Sequence, residues 1–385
     1  MRILQIVPHY IPSTRFGGPQ RVAHFLGEAL LKLGHQVTVC TTNLRDEDND
    51  LDVPTDVPVN LNGISVYYEP TRFFRYWGFS PALARRIKKE IQNSDTILVH
   101  AHYQFANLIG AWLARRARKP YIIFAHASLH RQGITHKSGL LKRIYLRLLE
   151  HGNLKNATFL AFNAPEEKAN SLYDNRGKVI PNGISPIEFS DLPSPNSFRD
   201  RYPILKDKLF YLFLGRLDIQ QKGLDMLIPA FARLCKDVPN VHLVLAGPHE
   251  DDSARQVKTL AKQHAIEESI TLTGLIEGKD KLAALQDADA FILPSRFEGL
   301  SIALLEALYS NLPVLITEHV GLCQEIAKAG AGIVVSANPD AIHAGLRQLT
   351  DYETRNIMGH RGRPMILRNY TWDVIAEQLI TDIVI

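Results

Sequence analysis

Ala290-Phe-Ile-Leu-Pro-Ser-Arg-Phe-Glu-Gly-Leu-Ser-Ile-Ala-Leu-Leu-Glu306, followed shortly by Pro313-Val-Leu-Ile-Thr317, decides the fold. The apolar run 290–293 reads as a buried strand, Pro294-Ser295 as a turn, the next stretch as a helix and 313–317 as another strand. Strand, loop, helix, strand is the repeating unit of a parallel α/β sheet, whose loops at the carboxyl ends of the strands bind ligands. Glu298 stands at the helix entrance and Glu306 about two turns further in. Both can therefore serve one elongated, hydroxyl-rich ligand at different depths. Charge-assisted hydrogen bonds from vicinal diols to such carboxylates are worth about 1.5–3 kcal/mol each when water is excluded. Alone, the pair would read as a helix-capping and a solvated glutamate; its embedding between two strands raises it.

Outward from this unit the pattern repeats. Strand-like runs at 210–214, 242–246, 270–273, 290–293, 314–316 and 332–335 fill the carboxyl half. Runs at 3–7, 36–41, 96–100, 121–125 and 158–161 alternate with helical patterns near 19–33, 82–92, 106–118 and 139–151 in the amino half. Residues 44–80 read as a long loop or an inserted hairpin. A chain of 385 residues exceeds one ordinary core and suggests two domains. Pro181-Asn-Gly183 is a strong turn signal, and a Pro- and Ser-rich stretch, 185–203, follows it and reads as the interdomain linker. The expected domains are 1–184 and 185–369.

Charge is uneven. Residues 1–190 hold 24 Lys and Arg against 15 Asp and Glu, and residues 191–385 hold 20 against 25. The clusters Arg85–Lys89 and Arg115–Lys119 read as solvated helix faces. The third, 137–147, alternates Leu140, Leu141 and Ile144 with Lys142, Arg143 and Arg147, which suits an anionic membrane surface or an acidic acceptor. No nucleic-acid motif accompanies the charge. Cys40, Cys235 and Cys323 are far apart and lie in or near apolar segments, as reduced packing residues do. Met1–Val7 runs into Pro8 without the apolar core of a secretory signal, and no apolar run approaches the roughly 20 residues that span a bilayer. The expected location is cytoplasmic, with any membrane contact peripheral.

Several loops carry candidate chemistry. Gly215-Arg216-Leu217 follows one strand and Lys222-Gly223 precedes the next helix, so the two cations either hold a diphosphate or are ordinary surface charges, and this loop alone does not decide between them. Phe16-Gly-Gly-Pro19 joins the first strand to the first helix, where Gly17 and Gly18 either let backbone approach a ligand or simply make a tight turn. His126 and His102 follow two strands of one sheet, which favours a functional rim over two separate structural histidines. Asp287-Ala-Asp289 is not a metal motif, because it lies where a helix gives way to a strand and reads as capping. The chain has no Walker loop, G-x-S-x-G, H-E-x-x-H or dinucleotide-binding glycine fingerprint.

Taken in order, Gly17-Gly18, His126, Pro181-Asn-Gly183, Gly215-Arg216-Leu217, Lys222-Gly223, Thr273-Gly274 and Pro294-Ser-Arg-Phe-Glu298 with Glu306 resemble glycosyltransferase family 4, retaining enzymes of the GT-B fold. The resemblance covers nearly the whole chain. It implies two Rossmann-like α/β domains facing each other across a cleft, with a last helix, about 370–385, crossing back to the first. It implies a hexose moved from a UDP- or GDP-linked donor to a glycan or lipid-linked acceptor, in exopolysaccharide, lipopolysaccharide or other cell-surface glycan synthesis, without metal or further cofactor. It gives Arg216 and Lys222 the diphosphate, Glu306 the ribose, Glu298 the transferred sugar, and Leu275 the base through its main chain. Backbone N–H groups of Gly299, Leu300 and Ser301 would help hold the sugar or phosphate. His126 would reach the sugar from the amino-terminal domain; Gly17 and Gly18 would close on the diphosphate. Arg15, His102 and Arg131 are the acceptor-side candidates. Leu300-Ser301 stands where Phe-Gly is frequent, Gln20 where Glu is, and the interval from Arg216 to Lys222 is long, so the donor's hexose stays open. A nucleotide-sugar epimerase or hydrolase, or a catalytically silent partner subunit, would share the fold.

Overall fold

Short runs of aliphatic and aromatic residues, apolar on both faces, form the strands of two largely parallel sheets covered by helices. The computed structural model describes residues 1–13, 18–46, 48–131, 134, 139–173, 176–248 and 252–384. They form two units, Met1–Gly183 with Trp372–Ile385, and Ile184–Thr371.

The first unit contains β1 (Arg2–Ile6), β2 (Gln36–Thr42), β3 (Val59–Leu61), β4 (Ile64–Glu69), β5 (Thr96–His100), β6 (Tyr121–Phe124), β7 (Phe159–Phe162) and β8 (Gly177–Val179), in the order β3-β4-β2-β1-β5-β6-β7-β8. Among the described strands only the β3–β4 pair is antiparallel. That pair is the hairpin in 44–80, turned through Asn62-Gly63 at φ 52° and 92°, the two positive values that a tight hairpin requires. Strand β8, short and half-buried, escaped the periodicity. The helix Pro81–Gln92 starts on Ser80, whose Oγ accepts from the Leu83 N–H at 3.1 Å. The closing helix Trp372–Val384 belongs to this unit, tied by Lys178–Asp382 at 2.7 Å and Lys32–Asp373 at 2.9 Å. The helix expected over 139–151 is instead an α-helix, Gly139–Tyr145, then a wider π turn, Leu146–Glu150, then a second α-helix, His151–Asn156.

The second unit contains β9 (Leu209–Leu214), β10 (Val241–Ala246), β11 (Ile270–Gly274), β12 (Ala290–Leu293), β13 (Val314–Thr317) and β14 (Gly332–Val335). All are parallel, in the order β11-β10-β9-β12-β13-β14. Strand order therefore reverses between β9 and β12, and in the first unit between β1 and β5. At such switch points the loops leaving the strands diverge and open a ligand site. The stretch 185–203 is not a free linker. Its helix Ser197–Arg201 is seated on Asp287, whose carboxylate accepts from the N–H groups of Asn196 and Phe198 at 2.8 Å each, while Arg199 donates to Asp289 at 2.8 Å. The two aspartates thus satisfy a helix start far earlier in the chain. Cys40 and Cys323 are buried, Cys235 is half-buried, and all three are free.

Candidate functional site

The loops leaving β9 and β12 are laced together. After Gly215 and Arg216 the chain folds onto Asp218, whose carbonyl accepts the Lys222 N–H at 2.9 Å and whose Oδ1 accepts the Gln221 N–H at 2.8 Å. Gly223 has φ 67°, and a Cβ there would lie 2.1 Å from the Pro294 carbonyl oxygen, so only glycine lets the loop pass the Pro294 turn. Arg296 then donates two parallel hydrogen bonds to Asp225 at 2.7 Å each and a third to the Gln220 carbonyl at 2.8 Å. A planar guanidinium gives that fork a fixed direction.

On this frame Lys222 pairs with Glu298, with Ser295 Oγ 3.4 Å from the same carboxylate oxygen. Glu298 is held by its backbone as well, donating to the His319 carbonyl at 3.1 Å. Arg216 is exposed and has no partner among the described residues. Glu306, on the helix Ile302–Tyr309, is 2 % exposed, and its Oε1 accepts from Lys281 Nζ at 2.6 Å. The sequence reading has Lys222 as an open cation and both glutamates as open acceptors. In the structure each glutamate carries a lysine instead, because a charge drawn out of water needs an opposite one.

The remaining donor-side candidates are at the same end of the sheet. Leu275 follows β11 and is half exposed; the Gly299 carbonyl accepts from the Gly321 N–H at 3.0 Å. Ser301 caps the helix Ile302–Tyr309 by backbone position, without a side-chain bond. Leu300 turns its side chain inward. It is packed into the core of the second unit, which leaves the backbone of this residue at the loop. Lys281, Asp225 and Arg296 were missed, since their partners are remote in sequence and no local spacing announces them.

In the first unit Gly18 opens the helix Gly18–Lys32, while Arg15 and Gly17 lie outside the described residues. His126, two residues past β6, is half-buried at φ 46°, a backbone conformation that costs a non-glycine residue energy. Its Nε2 is 3.2 Å from His100 Nδ1, and burial pushes its pKa down to about 4. His102 is buried, its pKa falls to about 3 through burial, and its Nε2 has no hydrogen-bond partner among the described residues. It also lies near enough to His126 for that ring to add to the lowering of the His102 pKa. The neighbour that meets His126 is His100, the last residue of β5, which was read only as part of a strand. Arg131 is exposed, and its N–H donates to the Asn170 carbonyl at 2.9 Å.

Leu140, Leu141, Ile144 and Leu148 are exposed along one side of 139–150, with Arg143 and Arg147 exposed beside them; Lys137 lies outside the described residues. Phe73, Phe74 and Tyr76 are exposed too. Ring contacts join the two segments: Trp77 meets Phe105 edge-on at 5.4 Å, Tyr103 meets Tyr145 at a tilt at 5.7 Å, and Lys142 lies 5.8 Å over Tyr103. Among the described residues no helix is long and apolar enough to cross a membrane.

Two families match the chain in sequence: Glycosyltransferase Family 4 over residues 16–187, and Glycosyl transferases group 1 over residues 196–365. An uncharacterized glycosyltransferase of Methanocaldococcus jannaschii, MJ1607, is 29% identical over 99% of this chain and 97% of its own length. Phosphatidyl-myo-inositol mannosyltransferase of Mycolicibacterium smegmatis is 24% identical over 99% and 92%. Among solved structures, sucrose-phosphate synthase of Thermosynechococcus elongatus superposes with a TM-score of 0.78 at 21% identity, covering 99% of this chain and 97% of that one.

Proposed function

Since the chain belongs to glycosyltransferase family 4 and has its GT-B fold, we propose that it moves a hexose from a UDP- or GDP-linked donor to a glycan or lipid-linked glycan acceptor with retention. The observation that carries this reading is the Lys222–Glu298 pair, held by the laced loops at the β9/β12 switch point beside Arg216, which has no partner among the described residues. Donor binding exchanges partners: the diphosphate takes Lys222 and Arg216, and Glu298 turns to the hydroxyls of the transferred sugar. Glu306, paired with Lys281, takes the ribose hydroxyls. Backbone at Leu275 holds the base, and Gly299, Leu300 and Ser301 offer backbone N–H groups to the sugar or phosphate.

As the bond from the anomeric carbon to the phosphate oxygen breaks, negative charge grows on the leaving diphosphate, and preorganised cations aimed at it lower the barrier. Lys222 and Arg216 supply them. The acceptor hydroxyl attacks from the same face, its oxygen bonds to the anomeric carbon, and its proton passes to the departing phosphate. Lys222→Ala and Glu306→Ala are expected to abolish or strongly reduce transfer from UDP-glucose or GDP-mannose in folded protein, and EDTA to leave it unchanged. Full turnover in both variants overturns the site. Free sugar or an epimer released at full rate without acceptor would favour a hydrolase or epimerase.

The exposed leucines and arginines of 139–150, with the neighbouring aromatics Phe73, Phe74 and Tyr76, support an acceptor met at an anionic membrane surface, in the synthesis of a cell-surface glycan. Apolar side chains enter the headgroup region while the flanking cations meet the phosphates.

A further inference from the structure

Three side chains of the first unit form a hydrogen-bonded line ending on His126. Gln5 lies within β1, His100 ends β5 and His126 follows β6; β1 pairs with β5, and β5 with β6. Gln5 and His100 are fully buried. Gln5 Nε2 donates to the Ala23 carbonyl at 2.9 Å, Gln5 Oε1 is 2.9 Å from His100 Nε2, and His100 Nδ1 is 3.2 Å from His126 Nε2. Phe124 stacks on His100 at 4.6 Å, and His126 lies at 21° to the His100 ring, so the ring planes are set. Gly27 makes the room: a Cβ there would be 2.9 Å from the Gln5 amide nitrogen.

The direction of this line follows from groups that can act in only one way. A carbonyl oxygen only accepts, so the end of the Gln5 amide facing Ala23 is the NH₂. Its other end, Oε1, also only accepts, so His100 Nε2 carries the hydrogen. A neutral imidazole has a single N–H, which leaves His100 Nδ1 as an acceptor and obliges His126 Nε2 to donate to it. Burial disfavours the charged ring at both positions, holding His126 near pKa 4 and His100 well below its ordinary value. His126 is then left with a lone pair on Nδ1, which has no partner among the described residues.

We propose that Ala23, Gln5 and His100 lock His126 in its Nε2–H form, so that Nδ1 accepts a hydrogen bond from a ligand hydroxyl and turns away phosphate oxygens. This rests on the reading of His126 as a ligand-contacting residue. Gln5 and His100 are positioning residues for it. A phosphate oxygen at neutral pH offers only lone pairs and would meet another, whereas a sugar hydroxyl has a hydrogen to give.

Long-range proton–nitrogen NMR on protein labelled with ¹⁵N-histidine reads the tautomer directly, with His126→Ala assigning the signal. The expected spectrum has His126 protonated at Nε2 alone at pH 7; protonation at Nδ1, or an average of the two, overturns the proposal. Gln5→Leu frees His100 to turn its hydrogen either way, so the His126 signal becomes an average, and an unchanged single tautomer there removes Gln5 from the device. Should Gln5→Leu fail to fold, the wild-type spectrum still decides. With UDP-glucose or GDP-mannose, whichever turns over, and its singly deoxyfluorinated analogues, the wild type loses kcat/KM on the analogue whose hydroxyl faces His126. The expected loss is about tenfold or more, and Gln5→Leu narrows that ratio. No loss on any analogue overturns the selection of a hydroxyl. Full turnover by His126→Ala would instead sink the ligand role of His126 while leaving the tautomer result standing.

Discussion

Lys281 Nζ and Glu306 Oε1 are 2.6 Å apart, joining the helices Gly278–Asp287 and Ile302–Tyr309 through side chains that are 16% and 3% exposed. Breaking such a pair from one side strands a buried charge, which costs about 3–5 kcal/mol, whereas removing both charges is far cheaper. Lys281→Met is therefore expected to lower the denaturation midpoint of the second unit strongly and to weaken donor binding. Lys281→Met with Glu306→Gln is expected to recover most of the stability and none of the binding. Urea titration of the single and double variants checks the first part, and calorimetric titration with UDP and GDP the second. Equal stability of the single variant and the wild type would show that the pair carries no such charge burden.

The contrast between Glu306 and Lys281 shows what was legible in the sequence. Strands such as Phe210–Leu214 and Ala290–Leu293 stand out because a strand buried on both faces must be apolar throughout. The loops that follow them are marked by glycine and proline for equally local reasons. Lys281, His100 and Gln5 have no such mark, because what gives them a role is a partner on another strand or helix, set by sheet order and register. Gln5 left one trace, a polar residue inside an apolar first strand. The stretch 185–203 misled in the opposite way: its prolines and serines resemble a linker, yet Asp287 gives its helix a start and Phe198 is buried. The Leu300 side chain could be assigned to the core only once the turn before it was seen.

Arg296 joins the two loops that carry Lys222 and Glu298 by gripping Asp225 and the Gln220 carbonyl. Lysine at this position keeps the charge but cannot make the two parallel bonds. Arg296→Lys is expected to lower kcat/KM by up to about 10²-fold through misplacement of the Lys222–Glu298 frame, with little change in thermal midpoint. Steady-state kinetics beside a melting curve separates these effects. Wild-type kcat/KM in this variant would mean that the loops hold their places without the fork.

Glu150 ends the π turn almost wholly buried, and burial raises its pKa to about 7 while a hydrogen bond from Asn153 at 3.3 Å opposes the shift. The unfolded chain releases this proton near the ordinary value of 4.5, so between the two values the folded protein binds more protons and stability falls as pH rises. The fold has its full benefit below about 4.5 and has lost about 3 kcal/mol above pH 7. Glu150→Gln, which cannot ionise, is expected to be more stable than the wild type at pH 8 and similar to it at pH 4. Urea midpoints measured across this range provide the check, and a constant difference between the two proteins at all pH values would rule out the titration of Glu150 as the cause.

Exposed Leu141 and Leu148, flanked by Arg143 and Arg147, present both components of binding to an anionic bilayer. A fully buried leucine contributes about 1.5–3 kcal/mol and each basic residue near the surface about 1 kcal/mol. Vesicles containing phosphatidylglycerol are expected to retain the protein at low salt, and neutral phosphatidylcholine vesicles to retain much less. Leu141→Ser with Leu148→Ser is expected to weaken partitioning by about 10²-fold or more while transfer to a short soluble acceptor persists. Phe73→Ser with Phe74→Ser tests whether the adjoining aromatics insert as well, because loss of binding there at unchanged charge can only come from the apolar contribution. Sedimentation with vesicles across a salt series measures both contributions. Equal partitioning of the leucine variant and the wild type would mean that the apolar side of this segment meets some surface other than lipid.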